Sequence, residues 1–165
     1  MPVIGCTQKL LKELNVKPVG ETKSVLLAGW HANLLRIDRR KCVLFTHDAT
    51  LYSVFVPGMR KSEFQRFTHV FQQNLFRALN VEGLPQDQIS EMLKKYQELE
   101  IGKTNNRSVL GSMNDLAYQI KYWIKAEGGL LMIDMVELNK KINRIPMSAI
   151  EMIYAIDQLK LEFGS

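Results

Sequence analysis

Two histidines, His31 and His47, flank a charged tip, Asp38-Arg39-Arg40-Lys41, in the stretch WHANLLRIDRRKCVLFTHDATLYSVF from Trp30 to Phe55. If the chain doubles back about Arg39, residue 31 stands opposite residue 47, and cross-strand partners on one face lie about 5 Å apart. Two imidazoles at that spacing can share a phosphate, a metal or a proton. With His31 and His47 as acid and base, and Arg39 or Arg40 neutralising the charge that builds on a phosphorane, the set suits a metal-independent nuclease or phosphodiesterase. The same register pairs Asn33 with Phe45, Leu35 with Val43 and Ile37 with Lys41, so the rest of that face is apolar. Two hydrogen-bonded histidines packed at a core edge satisfy the pattern as well, and a turn one residue shorter or longer puts them on opposite faces.

The arginines carry a second chemistry. Arg39 and Arg40 crown the tip, while Arg60 and Lys61 precede Ser62, where a helix start offers unpaired backbone amides to an anion. Guanidinium groups grip phosphate bidentately. With Trp30 and Tyr52 as stacking surfaces, this edge suits a phosphorylated nucleotide or a nucleic acid; the plainer alternative is a solubilised turn above two core aromatics. A second polar segment, KTNNRSVLGSMND, gathers Lys103, Asn105, Asn106, Arg107 and Ser108 ahead of a helix start at Ser112. It supplies donors and cations for an anion, though Asn and Ser are favoured in such places by turn chemistry alone.

Other chemistries find less support. Cys6, Cys42, His31, His47 and His69 include zinc-ligating types, but no CxxC or HxxxH spacing joins them. Nucleophilic triads, phosphate-binding glycine loops and dinucleotide fingerprints are absent from the sequence. No metal and no cofactor is therefore expected.

Charge is uneven along the chain. Between Arg36 and Arg77 there are eight basic residues against three acidic ones, a net of +5, which equals the formal charge of the whole protein. Like charges gathered in one quarter of a chain sum into a field that attracts phosphates, unless they serve only solubility. At 165 residues, 46% hydrophobic and 24% charged, the composition is that of a soluble globular protein, here a single domain over residues 1–165. No apolar run reaches the roughly eighteen residues of a membrane span, and the N-terminus lacks a signal-peptide pattern. A cytoplasmic location with free core thiols at Cys6 and Cys42 is expected.

The elements that would position these groups follow from periodicity. PVIGCT reads as a strand, and Thr7 caps a short helix carrying Leu10, Leu11 and Leu14. After a Pro18/Gly20 loop, VLLAGW resumes an extended run. From His31 the period is two, with short connections at DRR and HDAT, which predicts an antiparallel meander ending at Pro57 and Gly58. Ser62 and Gln65 form a capping-box pattern for a helix striped by Phe64, Phe67, Val70, Phe71, Leu75 and Leu79. A second helix carries Ile89, Met92, Leu93, Tyr96 and Leu99. Gly102 to Gly111 is expected as a loop, with a third helix opening at Ser112 and closing at Gly128 and Gly129. The remainder reads as two shorter helices split at Pro146.

The segments CTQKLLKEL, WHANLLRIDRRKCVLFTHDATLYSVF, NRSVLGSMNDLAYQIKYWI, EGGL and NRIPMSAI resemble a prokaryotic family classed as a domain of unknown function, over nearly the whole chain. The resemblance implies a compact domain and brings no activity or site with it. The expected fold is α+β, a small, mainly antiparallel sheet from residues 1–58 packed by four or five helices from residues 59–165. The expected function is non-catalytic binding of an anionic partner, nucleic acid or phosphorylated nucleotide, by an accessory or regulatory protein in host defence or on a mobile element. Candidate ligand-binding residues are Trp30, His31, Arg39, Arg40, Arg60, Lys61, Lys103, Asn106 and Arg107. Alternatives are the His31/His47 enzyme and a module that regulates a protein partner; no membrane association is expected.

Overall fold

A computed structural model of the chain describes residues 1–20, 29–147, 150 and 153–163. The fold is α+β, built on a five-stranded sheet. Its strands are β1 (Val3–Cys6), β2 (Trp30–Ile37), β3 (Arg40–His47), β4 (Ser53–Val56) and β5 (Glu100–Lys103), in the order β4-β3-β2-β1-β5. Helix α1 (Gln8–Leu14) connects β1 to β2, and α2 (Lys61–Gln65), α3 (Phe67–Val81) and α4 (Gln86–Lys95) lie between β4 and β5. Helices α5 (Arg107–Ala126) and α6 (Met135–Ile142) follow, then a hairpin of β6 (Pro146–Met147) and β7 (Ile153–Tyr154), and α7 (Ala155–Phe163).

The meander forms as its alternation predicts, with β2 antiparallel to β3 and β3 to β4. The first strand, however, is parallel to both of its neighbours, β2 and β5, so the sheet is mixed. A parallel pair needs a long connection between its strands, and the segment between Cys6 and Trp30, which includes α1, is long enough to supply it. The extended run expected over VLLAGW falls mostly on residues 21–28, outside the described residues; its last residue, Trp30, opens β2.

Three expected boundaries shift. The last two residues of β5, Gly102 and Lys103, replace the start of the expected 102–111 loop, and α5 opens at Arg107 with Asn106 as its cap, not at Ser112. The Asn106 side chain accepts from Val109 N at 3.1 Å, which satisfies an otherwise orphaned amide of the first turn. The helix expected from Ser62 starts one residue earlier and breaks at Arg66, whose backbone (φ −115°, ψ 38°) leaves the helical basin; Glu63, not Gln65, reaches back to the Arg60 amide at 3.1 Å. Pro146 does separate two helices, with the short strands β6 and β7 between them. Among the described residues of 59–165 there are six helices against the four or five expected, because the break at Arg66 adds one, and α1 forms where Thr7 and the following leucines place it.

Strand positions alternate between two covered faces, which is why the strands read as nearly continuous apolar runs. Trp30, Ala32 and Leu34 of β2 share a face with Val43, Phe45 and His47 of β3. That face meets α3: the Phe45 ring lies 5.2 Å from Phe67 and 4.8 Å from Phe71, and Trp30 lies 4.8 Å from Phe71. Helix α5 packs on β2 and β3 with Val109, Met113, Leu116, Ile120 and Ile124 buried, and α6 packs on β4.

Candidate functional site

The hairpin between β2 and β3 decides which side chains meet. Its loop has two residues, Asp38 (φ 51°) and Arg39 (φ 63°), between the paired Ile37 and Arg40. Two central residues with positive φ mark a type I′ turn, whose backbone twist matches that of the flanking strands. The centre of the hairpin therefore falls between Asp38 and Arg39 and not on Arg39. Every pairing moves by one residue: Trp30 stands opposite His47, His31 opposite Thr46, and Leu35 opposite Cys42. His31 and His47 consequently lie on opposite faces of the sheet, and the acid–base pair expected from a turn about Arg39 does not form.

Each histidine has its own setting. His31 is 1% exposed; its Nδ1 lies 2.6 Å from Asp48 Oδ1, and its Nε2 accepts from Asn105 N at 3.3 Å. A backbone N–H can only donate, so Nε2 keeps its lone pair and the proton sits on Nδ1, given to Asp48. Gly5, beside His31 in the sheet, leaves the room: a Cβ there would come within 3.0 Å of His31 Nε2 and 3.1 Å of the Lys103 carbonyl. The arrangement ties the loop after β5 to the sheet. An oriented imidazole of this kind resembles a general base in its proton placement, but His31 is buried and its lone pair is occupied.

His47, 2% exposed, packs 5.0 Å from the Trp30 ring. Thr50 donates to its Nδ1 through both its hydroxyl (2.8 Å) and its backbone N–H (3.3 Å), while its Nε2 lies 3.1 Å from the Tyr96 hydroxyl. Burial pushes its pKa down to about 4, helped by the charge of Lys95 and opposed by Asp48. Burial likewise pushes the Tyr96 hydroxyl up to about 12. Trp30 and Tyr52, at 0% and 1% exposure, belong to the core, so neither provides the stacking surface expected of it.

The cations stand outside in two groups. Arg39, Arg40, Arg60 and Lys61 are all exposed, and Arg40 lies across the turn after β4, its Nη1 3.8 Å from where a Cβ of Gly58 would stand. Among the described residues no carboxylate pairs with any of the four; the ion pairs found are His31–Asp48, Lys41–Glu13 and Arg144–Glu82. Asp38 is engaged elsewhere, its Oδ2 accepting from Leu130 N at 2.6 Å in the segment that follows α5. The second group, Lys103, Asn106 and Arg107, sits beside the His31 end of β2, where Lys103 is level with Ala32 through the registers of β5, β1 and β2. The two groups are thus separated by most of the length of β2, about 20 Å at a strand's rise. His31 belongs to the second group and Trp30 to neither.

Cys6 and Cys42 are free and buried, and burial pushes the Cys6 thiol up to about 12. Among the described residues, no three His, Cys, Asp or Glu side chains cluster closely enough to hold a metal ion, and no helix is long and apolar enough to cross a membrane. Asp48 is the site residue that sequence reasoning missed. It stands in the HDAT connection, where alternation from His47 puts it on the His31 face once the register is known.

A family model described as a domain of unknown function, DUF6933, matches residues 3–158. No curated protein and no solved structure matches the chain.

Proposed function

We propose that this chain, which belongs to the DUF6933 family of domains of unknown function, binds nucleic acid through its phosphate backbone, as an accessory protein that breaks no bond. Arg39, Arg40, Arg60 and Lys61 make the contacts. The observation that carries this reading is Arg39 itself. It occupies the second position of a type I′ turn, with φ 63°, where glycine is strongly preferred and any other residue is strained by about 1 kcal/mol. A strained, exposed arginine without a carboxylate partner has no evident structural task, and such strain concentrates where function needs it.

The shape of the surface favours a polymer over a mononucleotide. Small ligands are held in concave sites that bury most of their surface, and the tip cations line neither of two grooves that run along α6. An extended polyanion asks only for cations in reach of successive phosphates.

The test is binding of labelled 20-mers, single-stranded and duplex, followed by anisotropy from about 50 to 200 mM salt. Affinity should fall steeply with salt, by a slope of about −0.7 to −0.9 per phosphate contact. Replacing Arg39, Arg40, Arg60 and Lys61 together by alanine should flatten the slope by about 3 units. Absence of salt-dependent binding, an unchanged slope in the variant, or equal affinity for a mononucleotide each overturns the reading.

A further inference from the structure

The expected aromatic partners of the basic surface, Trp30 and Tyr52, are buried, yet two other tyrosines stand in the open. Tyr118 and Tyr122 on α5 are 75% and 62% exposed. At 100° per residue Tyr118 points directly away from the buried stripe of Val109, Leu116 and Ile120, so its ring packs on nothing in its own helix's core. Tyr122, one turn on, presents its ring about 6 Å further along the same line. Arg107, Lys121 and Lys125 share this outer face, all exposed and none in an ion pair among the described residues, against a single carboxylate, Asp115. Along the helix the face runs Arg107, Tyr118, Lys121, Tyr122 and Lys125, cations interleaved with tyrosines over roughly 27 Å.

This row is continuous with the tip. Its start, Arg107, adjoins Lys103 and Asn106; its far end runs into Gly129 and Leu130, which touch Asp38. A strand of nucleic acid lying along α5 would thus pass from one basic group to the other.

We infer that the outer face of α5 is a stacking track for single-stranded nucleic acid, with Tyr118 and Tyr122 as platforms for two successive bases and Arg107, Lys121 and Lys125 as phosphate contacts. This rests on the binding role proposed above and adds the class of its ligand. In a duplex the base faces are already stacked on one another, so a tyrosine ring on a convex helix has nothing to cover; an unpaired base offers its whole face. The lysines argue against a protein partner, because lysine is depleted at the centre of protein interfaces, whereas cations flanking aromatic rings are what a polyanion with π-faces requires.

The experiment compares Tyr118→Ala, Tyr122→Ala and the double variant on single-stranded DNA, single-stranded RNA and duplex DNA of one 20-nucleotide sequence. Both side chains are exposed, so folding should be kept, with the thermal midpoint as control. Each single variant should weaken single-strand binding about tenfold and the double variant about a hundredfold. The salt slope should not change, since no cation is lost. Tyr118→Phe should bind as the wild type, and Tyr118→Leu, more apolar but without a π-face, should not. Single-strand affinity that withstands both alanines, or a loss equal for duplex and single strand, overturns the stacking track while leaving the tip cations standing. A change of oligomeric state in the double variant, with binding unchanged, assigns the face to a second copy and equally overturns it. Failure of every oligonucleotide to bind removes both proposals together.

Discussion

The carboxamide of Asn143 holds Ser53 by both of its backbone groups: its Oδ1 accepts from Ser53 N at 2.7 Å and its Nδ2 donates to Ser53 O at 2.8 Å. One turn earlier on α6, Asn139 does the same for Phe55, at 2.8 Å and 3.3 Å. Strand β4 is an edge of the sheet, so alternate residues turn unpaired N–H and C=O groups outward, where they invite another strand. Two asparagines four residues apart on one helix face thus act as a substitute strand, closing the edge nearest the helical half.

Because Asn143 is fully buried, its replacement by leucine leaves two Ser53 groups dehydrated and unpaired, each worth about 1–3 kcal/mol. Asn143→Leu should lower the unfolding free energy in urea by about 3 kcal/mol, and Asn139→Leu, at a half-buried position, by about 1 kcal/mol. Equal losses, or a loss below about 1 kcal/mol at position 143, would mean that the edge is satisfied in some other way.

These asparagines show which signals a sequence carries. The stripe of Leu138 and Ile142 places α6 against something, and period-two alternation places β2, β3 and β4 in a meander, because burial of a face dictates residue type along it. What a side-chain amide will hold is written nowhere nearby, since its partner lies 90 residues away. The one-residue error at the hairpin has the same root. Leu, Val and Phe on both faces of β2 and β3 make either register equally apolar, so only the backbone of Asp38 and Arg39 distinguishes them. That choice separated His31 from His47 and gave His31 to Asp48. Strand β5 escaped notice because four residues, EIGK, are too short to show a period, and their pairing with β1 is set by distant contacts. The exposed cations, by contrast, were legible, since no packing competes for an arginine at a turn.

Arg39 allows function and stability to be separated. With φ at 63°, Arg39→Gly relieves the strain of a left-handed backbone but frees the unfolded chain, two effects of about 1 kcal/mol that oppose each other. The thermal midpoint should stay the same or rise slightly, while nucleic-acid affinity falls and its salt slope drops by about one unit. Lysine in the same place should restore most of the slope and leave the thermal midpoint at the wild-type value, since it keeps the same left-handed strain. A loss of stability beyond about 1 kcal/mol in the glycine variant would assign Arg39 a structural task and deprive the proposed function of its main support.

The setting of His47 makes stability depend on pH in a defined direction. Burial holds its pKa at about 4 in the folded protein against 6.5 for the free side chain, so between those values the unfolded chain takes up a proton that the native state refuses. The unfolded state is then favoured by acid: the contribution is complete above about pH 6.5, declines as pH falls, and levels off below about pH 4. By about pH 5 the loss should reach about 2 kcal/mol. The Tyr96 hydroxyl, pushed up to about 12, stays protonated throughout and remains a partner for Nε2. His47→Gln forfeits bonds to Thr50 and Tyr96 and should be less stable near neutrality, yet its unfolding free energy should change by about 2 kcal/mol less than that of the wild type between about pH 7.5 and pH 5. Parallel pH curves for the two proteins would show that His47 accepts its proton without leaving the core, and that the Trp30 face tolerates a charge.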